Sequence, residues 1–371
     1  MVREDFSLVR DVFEKELRQN PAGISSQIVV YQHGEKVVDL NASAPDTPAN
    51  SATTSYLTFS VSKGLTTIAI LKLIDDGLIE LDAPICQYWQ EFGRNGKETA
   101  TIRHALTHQA GIPAPHLYFQ IPLWLSWDLV TRRVASYRAE YPPGEITAYH
   151  LVNFGFILGE VVRRVSGLKI DEYLQKHFFD PMSLQTIRMR IPAKLEIKSP
   201  RLVSMHPNVR RTAWLFNQHL IRRSLIPAAG LHSNAGDLAV LYQMLIDGGI
   251  YQGKRYLSSE IIALASSSQY DGYDAYVNSN MNWGLGFIIG GGKKYDLEND
   301  TNAMGFGSSD TTFGSFGMGT CMVWVDPPAG LVTAYTTNGM ASNEDANKRW
   351  AHLSNAVWSC VRDKAQQITQ A

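Results

Sequence analysis

Strand-forming sequence occupies both ends of this chain, and helical sequence fills the middle. Near the N-terminus two β-rich runs, Gln27–Gln32 and Lys36–Leu40, flank His33-Gly34-Glu35, the pattern of a hairpin. Near the C-terminus, glycine-rich turns separate the β runs Gly284–Ile289, Thr320–Asp326 and Gly330–Thr336. Pro327-Pro328-Ala329 joins the last two as a second hairpin. Strands from both ends are therefore expected in one antiparallel sheet. Phe6, Val9, Phe13 and Leu17 recur at helical spacing over residues 4–18. Ser342 caps a last helix bearing Trp350, Leu353, Val357 and Val361. These two terminal helices should flank the sheet. Between them, Val61–Asp76, Tyr149–Val165 and Ala235–Asp247 read as helices, each followed by a glycine stop. Pro84, Pro113, Pro115, Pro122, Pro142 and Pro143 break the stretch from Asp82 to Tyr141 into short helices and loops. The fold class is α+β.

Composition excludes several functions. With 371 residues and 44% hydrophobic usage, the chain can bury a large core. Its net charge of −1 and lack of a long basic run argue against an electrostatic grip on nucleic acid. Cys86, Cys321 and Cys360 are far apart and form no C-x-x-C pair, so neither a zinc site nor a disulfide framework is expected. No apolar run is long enough to span a membrane. Acidic residues follow Met1 at once, with no apolar segment typical of a signal peptide, which points to the cytoplasm. There is no H-E-x-x-H, no phosphate-binding glycine loop and no G-x-S-x-G elbow.

Three segments carry chemistry. The first is Thr58-Phe59-Ser60-Val61-Ser62-Lys63-Gly64-Leu65. An S-x-x-K match alone is weak, and a capping serine with a surface lysine reads the same. Its placement is informative. Ser60 opens a helix, so its N–H is one of the free donors of the first turn, where negative charge is favoured. Lys63, three residues on, shares its face. A desolvated lysine beside a serine can lose its proton and act as base. The second segment begins at Tyr149-His150-Leu151. A tyrosine near a lysine ammonium can have its phenol pKa lowered and share general-base work; a core or capping tyrosine is the alternative. The third is Phe313-Gly314-Ser315-Phe316-Gly317-Met318-Gly319-Thr320. Its glycines would let backbone approach a ligand, or simply bend a sheet.

Together these segments resemble the serine β-lactamase and penicillin-binding-protein superfamily, above all its class C-like branch with the family VIII carboxylesterases. Further matches follow in the family's order: Leu81-Asp82-Ala83-Pro84, Thr101-Ile102-Arg103-His104-Ala105-Leu106-Thr107-His108-Gln109-Ala110-Gly111, Pro142-Pro143-Gly144, Gly230-Leu231-His232-Ser233 and Trp283-Gly284-Leu285-Gly286-Phe287. The resemblance implies a β-lactamase/transpeptidase-like fold acting as one catalytic unit over residues 1–371. An α/β lobe would come from about 1–80 and 150–371, a helical lobe from about 81–149, with the site between them. It also implies roles. Ser60 would attack a carbonyl. Lys63 and Tyr149 would take and return its proton, their order left open because interacting sites titrate as a pair. The N–H groups of Ser60 and Met318 would hold the oxyanion. Ser315, Phe316, Gly317 and Trp283 would contact substrate. No metal or cofactor is implied.

The sequence also departs from the family. The third motif, usually Lys-Thr-Gly or His-x-Gly, is Ser315-Phe316-Gly317, and Ser315 carries no charge. Leu151 stands where most β-lactamases have the asparagine of Tyr-x-Asn. Both changes favour a neutral small-molecule ester or amide over a substrate ending in a carboxylate. Tyr118, Phe119, Trp124, Trp127, Trp214, Phe216 and Trp283 are candidates for an apolar acyl pocket, each with core packing as its alternative. His108 and His150 read as structural. The expectation is a cofactor-free serine carboxylesterase. An acyltransferase using an alcohol or amine acceptor is the first rival, and a β-lactamase or D,D-peptidase the second. A non-catalytic binding protein is the third. The oligomeric state is not legible.

Overall fold

The computed structural model describes residues 1–113, 121–290 and 302–370, leaving aside the side chains of 196–198 and 362–370. Helix α1 spans Ser7–Arg18, after a short 3-10 turn over Glu4–Phe6. Strands β1 (Ser25–Gln32) and β2 (Glu35–Ser43) form the first hairpin. His33 and Gly34 both take positive φ there, 50° and 79°, as a two-residue hairpin turn that follows the strand twist requires. Helix α2 is Val61–Asp75, and two short helices follow, α3 (Ile102–Leu106) and α4 (Trp127–Ser136). Helix α5 is Asn153–Ser166 and α6 is Ala235–Ile246. The late strands are β3 (Tyr270–Asp274), β4 (Ser279–Trp283), β5 (Ile288–Ile289), β6 (Phe313–Gly317), β7 (Cys321–Asp326) and β8 (Leu331–Thr337). Helix α7, Asn343–Gln370, closes the chain. The Ser342 hydroxyl accepts from the N–H of Asp345 at its start.

The eight strands form one antiparallel sheet in the order β2-β1-β8-β7-β6-β5-β4-β3. Chain ends thus meet inside the sheet, one strand in from its edge, where β1 pairs with β8 from Ser26↔Thr337 to Gln32↔Leu331. Period-two alternation divides the strands between two apolar layers. Ile28, Val30, Met322, Trp324 and Tyr335 face the terminal helices, joining Phe6, Val9 and Phe13 with Trp350, Leu353 and Val357. Val29, Val323, Val325, Val332 and Ala334 face the other way, onto α6 and α2. The fold is mixed helix and antiparallel sheet, as the two ends of the sequence required.

Three elements differ from expectation. Gly284–Ile289 is not one strand. Gly286 takes φ +70°, and strand structure resumes only at Ile288. The exposed hairpin β3–β4 is an addition that no sequence pattern announces. Tyr149 does not begin a helix. Its segment is an irregular run, and α5 starts at Asn153. Loops hold that run in place. The N–H of His150 donates to His108 Nδ1 (3.1 Å), His150 Nδ1 lies 2.7 Å from the Ala148 carbonyl, and His150 Nε2 accepts from the N–H of Ile112 (3.3 Å). These bonds replace the helical ones, so apolar spacing extends the helix too far.

Helix α2 is buried from Val61 through Leu71. The segment Pro227–Leu231 lies along it, and Thr66 Oγ1 donates to the Pro227 carbonyl (2.8 Å). Gly155 on α5 backs this segment. A Cβ there would overlap the main-chain N of Ala228 and lie 2.7 Å from the Pro227 carbonyl carbon.

Gly155→Ala should therefore lower unfolding stability by about 1–3 kcal/mol, measured by urea denaturation. An unchanged midpoint would refute the close approach. Burial pushes the His150 imidazole down from 6.5 to about 4. Between those values the unfolded chain binds a proton that the folded protein refuses. Stability should fall as pH drops from about 6.5 toward about 4. His150→Gln keeps a donor and an acceptor without titrating. Over that range its loss should be shallower than wild type by about 2 kcal/mol. Identical pH dependence would contradict the assignment.

Candidate active site

Ser60 sits at the start of α2 with φ −67° and ψ −8°. Its segment is clamped from behind. Thr58 donates to the Leu231 carbonyl through its N–H (2.8 Å) and its hydroxyl (3.1 Å), and the Leu231 N–H donates to Ser62 Oγ (3.0 Å). Phe59, immediately before Ser60, takes φ 44°. An aromatic residue there costs about 1 kcal/mol or more. Packing holds it, since its ring is buried 4.8 Å from that of Phe216. Ser60 itself is only partly covered, so its hydroxyl is not sealed inside the core.

Lys63 is 3% exposed. Its Nζ lies 3.2 Å from Ser60 Oγ, 2.9 Å from the Leu151 carbonyl and 3.3 Å from the Ala228 carbonyl. Burial holds the amine well below its ordinary value of 10.5, and nothing offsets that burial. A neutral amine has two N–H donors and one lone pair. As a neutral amine Lys63 would donate to the two carbonyls and accept from the Ser60 hydroxyl, whereas as an ammonium it would donate to all three oxygens.

Tyr149 faces the same point. Its phenol interacts with the Ser60 hydroxyl, and its ring centroid lies 4.5 Å from Lys63 Nζ. Burial pushes the phenol well above its ordinary value, and the Ser60 contact only partly opposes that. This is the reverse of the direction expected from sequence, a phenol lowered by a nearby ammonium. The direction differs because burial, which disfavours the charged phenolate, is the largest influence on the group. The Tyr149 N–H donates to Asp274 Oδ1 (3.0 Å), and its ring stacks on Trp283 at 5.6 Å and 13°.

The late glycine-flanked strand arrives at the start of α2. A Cβ on Gly317 would overlap the Thr58 carbonyl and lie 3.5 Å from Phe59 Cβ. Only glycine allows this approach, which brings the turn at Met318 beside the Ser60 segment. Among the described residues, no protein group accepts from the N–H of Ser60 or of Met318.

Other expected contacts fall elsewhere. Ser315 is buried and turned toward α2, where its Oγ accepts from the Tyr242 hydroxyl (3.2 Å). A Cβ on Gly64 would sit 3.0 Å from that Oγ and overlap the Tyr242 hydroxyl. The pleat of β6 turns Phe316 to the opposite face, 5.3 Å from the Trp350 ring, so a substrate contact is not what this strand gives it. Trp283 is 3% exposed and lies behind Tyr149 rather than in front of it. Trp124 is buried, the Trp127 indole donates to Glu160 Oε2 (2.7 Å), and Trp214 is 66% exposed. Phe216, against Phe59, is thus the expected pocket aromatic placed beside the nucleophile segment. Tyr118 and Phe119 lie outside the described residues. Leu151 and Ala228 act on Lys63 through backbone carbonyls, for which side-chain type gives no signal. Tyr242 could be suspected only by pairing it with the small residues at 64 and 315. Among the described residues, no group of three or more His, Cys, Asp or Glu side chains could hold a metal ion. No helix there is long and apolar enough to cross a membrane.

Comparison with known proteins gives the family and the fold. LipL of Mycobacterium tuberculosis, described as an esterase/beta-lactamase, is 27% identical over 349 residues, covering 85% of this chain and 77% of LipL. The crystal structure of a family VIII carboxylesterase superposes with a TM-score of 0.86 at 26% identity, covering 97% of this chain and 98% of that one. EstCE1, described as a hydrolase with promiscuous acyltransferase activity, shares the fold, with a TM-score of 0.75 at 17% identity over 96% of this chain and 99% of its own. The sequence model described as Beta-lactamase matches residues 12–357. With a match over nearly its whole length, the chain belongs to the beta-lactamase family, as a hydrolase of the serine β-lactamase fold.

Proposed function

We propose that the protein is a serine carboxylesterase that cleaves esters of neutral small molecules through an acyl-enzyme on Ser60. One observation carries this reading: the Lys63 amine is buried 3.2 Å from Ser60 Oγ and held by two backbone carbonyls. A lysine kept neutral in this way is a base at ordinary pH. The alcohol-protonating partner is Tyr149, because a phenol with a raised pKa keeps its proton until a stronger base appears.

In acylation, the lone pair of Lys63 takes the Ser60 proton as Oγ bonds to the substrate carbonyl carbon. The carbonyl π electrons move to oxygen, which the N–H groups of Ser60 and Met318 receive. Collapse re-forms the carbonyl and breaks the ester C–O bond. The departing alkoxide takes the Tyr149 proton, and the Lys63 ammonium restores it to the phenolate. A water then attacks the acyl-Ser60 carbonyl by the same path in reverse. Substrate would lie between the sheet-bearing lobe and the helical segment 81–149.

Substrate choice follows from the third motif. Ser315 brings no cation, and its hydroxyl already accepts from Tyr242. A substrate carboxylate would find no ion pair there. The esterase descriptions of LipL and of the family VIII structure support the same class. An alcohol in place of the deacylating water would make the protein an acyltransferase, and analysis of products formed with and without an added alcohol separates the two.

On short-chain p-nitrophenyl esters, Ser60→Ala should lower kcat/KM by at least ~10³-fold. Lys63→Arg, which fixes a permanent cation, should lower it by about 10²–10⁴-fold. Retained activity in either variant would refute its role. The pH profile of kcat/KM should rise as Lys63 loses its proton, at a pH well below 10.5, and on an alkyl ester, whose alkoxide needs a proton to leave, it should fall only above the ordinary phenol range as Tyr149 ionises. A chromogenic cephalosporin hydrolysed as fast as short esters would overturn the substrate class.

A further inference from the structure

We propose that Asp274 is a positioning residue for Tyr149, with one carboxylate oxygen fixing its main chain and the other orienting the indole on which its ring lies. The inference rests on the esterase reading above and deepens it.

Asp274 ends β3, where the β3–β4 hairpin turns, and it is fully buried. Four N–H groups converge on its carboxylate. Those of Tyr276 and Val277 reach Oδ1 at 3.0 Å each and close the hairpin turn. The N–H of Tyr149, 125 residues away in sequence, reaches the same oxygen at 3.0 Å. Trp283 Nε1 reaches Oδ2 at 3.2 Å. The Ala275 N–H adds a main-chain bond to the Thr147 carbonyl (2.9 Å). The hairpin tip is thereby fastened to the irregular run that carries Tyr149.

A turn alone does not account for this arrangement. Closing it uses two of the four donors, a task that asparagine performs as well as aspartate. The other two donors belong to Tyr149 and to its stacking partner. All four partners are neutral N–H groups, so a buried charge is held by hydrogen bonds alone, an expensive solution unless every donor is needed. Only a carboxylate accepts on both oxygens. Asparagine would turn an NH₂ group against one of the donors. Tyr149 lies outside any helix, so no regular backbone ladder fixes it; Asp274 supplies that anchor. A proton donor misplaced by an ångström loses much of its effect. The carboxylate's charge also favours the protonated phenol.

The test uses two esters of one acid on the full chain, p-nitrophenyl butyrate and ethyl butyrate. p-Nitrophenolate leaves without a proton; ethoxide needs one. Asp274→Asn should cost at least about tenfold more in kcat/KM, which reports acylation alone, on the ethyl ester than on the p-nitrophenyl ester. Tyr149→Phe should show the same discrimination, larger. Trp283→Phe keeps the ring stack but removes one N–H, and should discriminate in the same direction by about threefold. Losses independent of the leaving group, or no loss, would overturn the proposal. Should Asp274→Asn not fold, the Trp283→Phe ratio decides alone. Ser60→Ala separates the two readings. If it is inactive on both esters while the Asp274→Asn effect ignores the leaving group, only the role of Asp274 fails. If Ser60→Ala stays active, the acyl-enzyme reading fails and this one with it.

Discussion

A buried amine held by two backbone carbonyls and one hydroxyl organises this molecule. Lys63 is carried on a helix buried along most of its length, and among the described residues no carboxylate forms an ion pair with it. An ammonium in such a place is costly, and shedding its proton relieves the cost. The carbonyls of Leu151 and Ala228 come from segments 77 residues apart in sequence, and both must be held to ångström tolerance. That requirement explains features that look unrelated. Gly155 lets α5 press the 227–231 segment against α2, while Thr66 and Thr58 tie the same segment by hydrogen bonds. The core thus does more than bury area: it pushes the Lys63 amine toward its neutral form.

The same burial moves the two titrating partners in opposite directions. It destabilises whichever form is charged, so the amine goes down and the phenol goes up. One physical cause thus acts in opposite senses on two chemical types. In a wet cleft both shifts would shrink. The sheet contributes by bringing Gly317 against the Thr58 carbonyl, a contact that leaves no room for a side chain.

Much of this architecture is legible in the amino-acid sequence. The pairing of β1 with β8 follows from strand sequence at both ends, because continuous runs such as Ile28-Val29-Val30 and Met322-Val323-Trp324-Val325 have few other destinations. Ser60 and Lys63 are legible because helical spacing puts both on one face. What escapes is set by distant contacts. The β3–β4 hairpin is largely exposed and polar, so its strands carry no apolar alternation. Apolar spacing begins helix α5 four residues early, since Leu151 and Val152 continue the pattern while their backbone is held by loops. The third motif suggests that Ser315 and Phe316 face substrate together, but neighbouring residues on a strand point to opposite faces. Sequence puts Tyr149 beside a cation, and whether that cation exists depends on a burial no local pattern reveals.

The protonation state of Lys63 can be measured directly. A ¹³C NMR titration of the lysine side chains in the full protein, with Lys63 assigned by the signal lost in Lys63→Gln, reports it. Assignment matters because burial also lowers Lys97, to about 8. The account predicts that the Lys63 signal titrates well below 10.5. A Lys63 signal that titrates at 10.5 or above would contradict it, leaving Ser60 with an ammonium where a base is required.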